Sequence, residues 1–295
     1  MKVLVAADDS DFTISSLELL ARLPFPKGSE FSVLTVVQDL ESVIPGDTSP
    51  QSDGIQKAAR MEADRALQKA CDRASSLGLQ VSRSVLIGNV TGEIIDYGVR
   101  TGTGLAVVGS HGRRGFKQFL LGSVAFKLVT YAPFSVLIVR PVRAMGAAGD
   151  GPSGILRVLV ATDGSEQSNA AIAQFAELAG KRWCTIKVVT VLELVTAFRM
   201  DIRQRLSESW RQRKAGARQY LKEIAETIDP LAVEVETQVL EAANASETIL
   251  DAADDFGADL ILVGGTGKGR IGRVLLGSVA SRIARHARCS VWVGR

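Results

Sequence analysis

Cysteine is nearly absent from this chain: Cys71, Cys184 and Cys289 are the only three in 295 residues. They are odd in number, far apart and in no CxxC or Cys/His spacing, which argues against a disulfide framework and a zinc site and fits a reducing cytosol. Long apolar runs are missing as well. The run from Val3 to Ala7 meets Asp8 and Asp9 too soon for a secretory signal, and none reaches the roughly 18 residues of a membrane span. A soluble, cytoplasmic protein with no membrane partner is the expectation. Charge of one sign is also lacking, since 35 Lys and Arg against 32 Asp and Glu leave +3 and a pI of 8.8. That falls short of the basic face and pI above ~9 of a dedicated nucleic-acid binder, so no nucleic-acid partner is expected. Histidine is reduced to His111 and His286, neither with a nucleophile and acid at a recognisable spacing. Both are expected at the surface, and no catalytic residue is assigned.

What is present is ordinary globular composition, 46% apolar and 23% charged, in a length that at ~150 residues per domain sets a prior of two domains. The chain repeats itself. Val3-Leu4-Val5-Ala6 returns as Val158-Leu159-Val160-Ala161, and Leu120-Leu121-Gly122-Ser123-Val124-Ala125 returns as Leu275-Leu276-Gly277-Ser278-Val279-Ala280, both 155 residues on. The same offset carries Asp8 to Asp163, Ser10 to Ser165, Gly109 to Gly264, Gly112 to Gly267 and Arg140 to Arg295. One register across a whole unit is the mark of a duplication. Between the copies, glycines and prolines among small residues predict a linker over 142–155, with domains at 1–141 and 156–295.

Each unit alternates apolar runs with helical stretches. In the first, Val3 to Ala7, Phe31 to Val37, Val81 to Ile87, Leu105 to Val108 and Val136 to Val139 read as strands buried on both faces. Helices are predicted near Ser10 to Leu23, Ile55 to Leu77, Thr91 to Arg100 and Gly122 to Tyr131. Five strands in this rhythm predict a doubly wound α/β fold with a parallel sheet, present twice. In the second unit Leu206, Trp210, Ala217, Leu221, Ile224 and Ile228 form one stripe at helical spacing.

In an open α/β sheet a ligand sits beyond the carboxyl ends of the strands where strand order reverses, so informative residues follow strands. After the first strand come Asp8-Asp9-Ser10 and Asp163-Gly164-Ser165. After the fourth, Gly109, Gly112 and Gly122-Ser123 repeat as Gly264, Gly267 and Gly277-Ser278, each a Gly-x2-Gly-x9-Gly-Ser spacing. Glycines there let bare backbone approach an anion and take positive φ, and Gly-Ser at a helix start offers N–H groups, a hydroxyl and the positive helix end. This predicts a phosphate cradle, with Arg113, Arg114, Lys268 and Arg270 adding charge or merely solvated. The GxGxxG at Gly267 to Gly272 is no Rossmann fingerprint, following a fourth strand with no acid ~20 residues on, and Gly267-Lys268-Gly269 is no Walker A. Asp8 and Asp163 fit simple turn or helix-cap residues as well as a binding role.

With these residues the sequence resembles a tandem universal stress protein of the ATP-binding subclass, two UspA-like domains covering nearly all of both units. The spacing after the fourth strand is similar to that subclass's motif, and Val-Leu-Val-Ala-x-Asp-x-Ser to its opening strand. The resemblance implies a strand order 3-2-1-4-5 in each unit, with Asp8 and Gly109 facing one cleft, as do Asp163 and Gly264. It implies adenine and ribose near Asp8 and Val36, a pocket wall at Val108, and phosphates on Gly109, Gly112, Gly122, Ser123 and Val124. The second unit's counterparts are Asp163, Val191, Val263, Gly264, Gly267, Gly277, Ser278 and Val279. The expected ligand is ATP with Mg²⁺, and the expected role a stress-response sensor or binding module. The alternatives are a slow ATPase or autophosphorylating enzyme, with Ser123 or Ser278 modified, and an interaction scaffold with vestigial pockets.

Two departures stand out. Asp9 replaces the glycine of Gly164, and either weakens nucleotide binding or helps hold a cation; Ala243 stands 155 residues after Gly88, near a family glycine, and marks an altered second pocket. Phe134 to Val139 and Ser290 to Val293 end each unit as apolar strands at a sheet edge, where association is expected. The resemblance and the duplication imply intramolecular pairing of the two units there, and leave homodimerisation open. Cys71 and Cys289 are expected to pack as small apolar groups and Cys184 to be partly exposed. The eight Lys and Arg from Arg199 to Lys222 read as a solvated helix face or, alternatively, a site for an acidic partner.

Overall fold

The computed structural model describes residues 1–39, 50–112, 121–141, 155–178, 180–194, 200–266 and 276–295, with backbone alone at 50–53 and 200–207. It divides into two compact units. Unit 1 runs β1 (Lys2–Ala6), α1 (Asp11–Arg22), β2 (Glu30–Gln38), α2 (Pro50–Ser76), β3 (Val81–Gly88), α3 (Val90–Thr101), β4 (Leu105–Gly109), α4 (Ser123–Tyr131) and β5 (Ser135–Val139). Unit 2 repeats this as β6 (Leu156–Ala161), α5 (Glu166–Ala176), β7 (Cys184–Glu193), α6 (Met200–Ile228), β8 (Ala232–Ala242), α7 (Ala245–Phe256), β9 (Leu260–Gly264), α8 (Ser278–His286) and β10 (Ser290–Gly294). Of the linker expected over 142–155, all but residue 155 lies outside the described residues.

Within each unit the five strands run parallel in the order implied by the resemblance, β3-β2-β1-β4-β5 and β8-β7-β6-β9-β10. The first strand of each unit is central: Val5 lies opposite Val33 on β2 and Val107 on β4, and Val160 opposite Val188 and Leu262. These residues are fully buried because helices cover both faces, which is why their segments are continuous apolar runs. β3 differs from the expectation of two buried faces. It is an edge strand, VSRSVLIG, with Ser82, Arg83 and Ile87 exposed, so its polar residues meet water.

Local signals fix the helix ends. Asn89 Oδ1 accepts from Gly92 N at 3.0 Å to cap α3, which ends on Gly102 at φ +69°. Asn244 caps α7 in the same way, and Gly257 at φ +65° ends it. Of the stripe read on α6, Leu221, Ile224 and Ile228 enter the core, whereas Trp210 and Ala217 stay half-exposed; the side chain of Leu206 lies outside the described residues. The cores diverge where the fold does not. Leu20 and Leu137, both fully buried in unit 1, have Phe175 and Trp292 as counterparts in unit 2.

The cysteine expectation is reversed. Cys184 opens the interior strand β7 and is fully buried, with its thiol 3.6 Å from the Leu231 carbonyl, while Cys71 and Cys289 are partly exposed. A strand position inherits its burial from the strands on either side, which composition does not report. Burial pushes the Cys184 thiol up to about 12. The native thiol therefore keeps its proton where the unfolded one, near pKa ~8.5, has lost it, and stability falls as pH rises between those values by at most ~1.4 kcal/mol per unit. Denaturant midpoints between about pH 8 and 11 should fall more steeply for the wild type than for Cys184→Ala; parallel slopes would show that the thiol contributes nothing.

Candidate functional site

In unit 1 a cavity of about 600 Å³ opens at the carboxyl ends of β1 and β4. Asp8, Val36, Val108, Gly109, Gly112, Gly122, Ser123 and Val124, the eight residues singled out in this unit, all line it. Its wall continues over α3 with Val90 and Ile94 and along α2 with Ala59, Glu62 and Ala63. That α2 wall is invisible in the sequence because two of the three are alanines, which carry no chemical signal beyond their helical spacing.

Asp8 is a turn residue and does not cap α1, whose N-cap position is Ser10. Its Oδ1 accepts from Ser10 N at 3.2 Å and from the Ser10 hydroxyl, closing the turn between β1 and α1. Its Oδ2 faces the loop after β4, where a Cβ on Gly112 would lie 3.0 Å away. The glycines act differently from expectation. None of Gly109, Gly112, Gly122, Gly264 and Gly277 takes positive φ. A Cβ on Gly109 would stand 2.5 Å from Phe12 Cβ on α1, and one on Gly264 2.7 Å from Ser168 N on α5, so these strand ends are bare because the helix after each unit's first strand packs against them. Gly122 (φ −59°) and Gly277 (φ −66°) are the N-cap residues of α4 and α8, and neither helix has a side-chain cap. The first N–H groups of both helices thus face the cavities without a competing side chain, beside the Ser123 and Ser278 hydroxyls.

His111 is not the surface residue expected. It is half-buried on the cavity wall, its Nδ1 3.1 Å from Ser110 Oγ, its ring centroid 5.7 Å from that of Phe12, and its Nε2 buried with no hydrogen-bond partner among the described residues. His286 is exposed. Two scattered histidines look incidental in a sequence, and the contact with Phe12, 99 positions away, is visible only in three dimensions.

Unit 2 has a smaller cavity of about 310 Å³ at the same place. Asp163, Val191, Val263, Gly264, Gly277, Ser278 and Val279 line it; Gly267, Arg113, Arg114, Lys268 and Arg270 lie outside the described residues. Asp163 Oδ1 accepts from Ser165 N at 2.9 Å. Thr162, where unit 1 has Ala7, joins a hydroxyl cluster at the cavity wall: its Oγ1 lies 3.0 Å from Ser168 Oγ and 3.0 Å from the Tyr220 hydroxyl, which donates to Asn169 Oδ1.

The two departures have structural accounts. Gly164 takes φ +72°, whereas Asp9 has no positive φ; Asp9 is exposed, outside the cavity lining, and 3.9 Å from Lys69. It neither narrows the cavity nor faces it. Gly88, at φ +152°, ends β3 opposite Gln38 and leads straight to the N-cap Asn89. In unit 2, β8 ends at Ala242 opposite Glu193, and Ala243 is an additional residue before the N-cap Asn244. With a longer connection the chain turns without a left-handed residue, so no glycine is needed.

Among the described side chains of α6, Lys214, Arg213 and Lys222 are engaged locally. Lys214 pairs with Glu241, whose carboxyl is held below the usual carboxylate range by hydrogen bonds from Lys214 and from Trp210 Nε1 at 2.8 Å. Arg213 lies over the Trp210 ring and Lys222 is 4.0 Å from Glu226, while Arg199 is outside the described residues. Among the described residues no group of His, Cys, Asp or Glu is arranged to hold a metal ion, and no helix is long and apolar enough to cross a membrane.

Two α/β units, each with its cavity where strand order reverses, define a doubled, open-sheet architecture. The sequence model of the universal stress protein family matches residues 1–140 and again 154–295, and the chain belongs to that family, with two domains in tandem. The universal stress protein YxiE of Bacillus subtilis is 31% identical over 145 residues, covering 47% of this chain and 98% of that protein. A universal stress protein of Mycolicibacterium smegmatis is 28% identical over 219 residues, 74% of this chain and 70% of that protein. The crystal structure of a universal stress protein from Archaeoglobus fulgidus shares the fold, with a TM-score of 0.67 at 20% identity over 100% of this chain and 98% of that one.

Proposed function

We propose that this universal stress protein binds ATP with Mg²⁺ and acts as a nucleotide-dependent sensor or binding module. The observation that carries the reading is the unit 1 cavity, where Asp8, Val36, Val108, the three glycines, Ser123 and Val124 converge on an uncapped helix start. At about 600 Å³ it falls within the ~300–1,000 Å³ of typical small-molecule sites. The parts of a nucleotide match its parts. Val36, Val108 and Ile94 offer apolar surface to a purine, the carboxylates of Asp8 and Glu62 accept from hydroxyl or amino groups, and the α4 N-terminus favours phosphate. Mg²⁺ typically keeps its waters and binds through phosphates and one or two carboxylates, so it would arrive with the nucleotide and needs no protein cage.

Calorimetric titration with ATP and Mg²⁺ tests this. Saturable heat is expected from the wild type, lost at the unit 1 site in Gly122→Val, whose added Cβ would stand 3.1 Å from the Ser110 carbonyl oxygen and press the side chain against it. Circular dichroism checks that the variant is folded. Absence of binding by folded wild-type protein, once mass spectrometry has excluded co-purified nucleotide, would defeat the ATP reading.

A further inference from the structure

We propose that the two cavities are not equivalent: unit 1 alone takes the adenine nucleotide, and a hydroxyl latch built from Thr162, Ser168, Asn169 and Tyr220 closes unit 2 to it. The inference rests on the ATP reading and divides it between the units. Unit 2's cavity, about 310 Å³ against about 600 Å³, lies at the lower limit for small-molecule sites. The difference has a location. In unit 1 the cavity runs on between β2 and α2, past Leu34 and Val37 to Ala59, Glu62 and Ala63. In unit 2 only Val191 of β7 contributes, and no described residue of α6 does.

The latch supplies the cause. The Tyr220 hydroxyl bridges α6 to Thr162, just past the end of β6, and to Asn169 in the first turn of α5, while Thr162 also holds Ser168. Gly164 N donates to Thr162 Oγ1 at 3.1 Å, so the turn after β6 is tied into the same network. Partnered hydroxyls half-hidden from water resist opening, because a ligand entering there must break bonds that it cannot all replace. In unit 1 the position of Thr162 is Ala7, which has no hydroxyl, and its carbonyl accepts from Thr35 Oγ1 at 3.1 Å on the β2 side. A methyl group cannot make the corresponding tie to α2. The unit 1 wall also carries Glu62, a carboxylate placed for ribose or amino hydrogens, whereas Asp163 is the single ionisable residue among the described lining of unit 2.

The full chain is titrated with ATP and Mg²⁺, and separately photolabelled with 8-azido-ATP, digested and mapped by mass spectrometry. One ATP per chain and label confined to 1–141 are expected. Ala59→Phe, at a half-exposed position on the α2 wall, should weaken that binding at least tenfold. Thr162→Ala combined with Tyr220→Ala should add a second ATP per chain and new label within 156–295. Two ATP per wild-type chain, or label in unit 2, would overturn the inference while leaving the ATP reading intact. A double variant that remains folded by circular dichroism yet still binds one ATP would overturn the latch as the excluding element. Should that variant not fold, wild-type stoichiometry and label position still decide where ATP binds. No ATP bound by folded, nucleotide-free protein would instead defeat the ATP reading itself.

Discussion

Gly264→Ala is expected to destabilise unit 2 by about 3 kcal/mol, and its counterpart Gly109→Ala to destabilise unit 1 by a similar amount. The added Cβ at residue 264 would lie 2.7 Å from Ser168 N, 2.8 Å from Ser168 Cα and 3.1 Å from Gln167 C. These are backbone atoms in the first turn of α5, held by the Ser165 cap through the 3.2 Å bond from Ser168 N to Ser165 Oγ. No rotamer change relieves the clash, so the helix must move from the sheet and give up close packing along its length. At residue 109 the nearest obstacles are Phe12 Cβ at 2.5 Å, an atom fixed by the α1 backbone, and the His111 carbonyl oxygen at 3.2 Å. There too the helix must move, α1 in place of α5. Tryptophan emission isolates one half of the comparison, because Trp183, Trp210 and Trp292 all belong to unit 2. A urea midpoint for Gly264→Ala equal to that of the wild type would show that the residue is free of packing demands and reserved for approach to a ligand.

The same glycine marks how far the sequence can be read. The five strands of each unit are visible because buried parallel strands are apolar at every position, and the 155-residue register turns one weak motif into a matched pair. Residues after β1 and β4 can be placed at one cleft once a strand order is supplied, and seven of the eight in unit 2 and all eight in unit 1 do line a cavity. The reason for each glycine is not legible, because it lies in what a Cβ would strike and not in the turn it permits. Nor are Ala59, Glu62 and Ala63, whose importance comes from where α2 crosses β2. The Thr162 and Tyr220 pair joins residues 58 apart in types too common to draw notice. The extra residue before Asn244 reads in the sequence as a glycine replaced by alanine, because a fixed offset has no means of showing an insertion balanced by a deletion.

Phe175→Ala should cost unit 2 about 3–5 kcal/mol, comparable with the whole stability of many small domains. Phe175 is completely buried on α5, its ring 5.6 Å from Trp183 at 49° and 6.0 Å from Trp292 edge-on at 81°. Truncation removes one ring and strands two others, so the loss includes two aromatic contacts worth ~0.5–1.5 kcal/mol each beyond burial. Trp292 is fully buried and its indole Nε1 has no hydrogen-bond partner among the described residues, so its place depends on packing. The near-ultraviolet dichroism of the tryptophans should therefore weaken in Phe175→Ala before any denaturant is added. Leu20→Ala, at the matching position of unit 1, should be costly for its own unit yet leave that tryptophan signal in place. The contrast separates the duplicated fold, which both units share, from the aromatic core by which unit 2 departed from it. An unchanged tryptophan spectrum in Phe175→Ala, or an equal loss of it in Leu20→Ala, would contradict that separation.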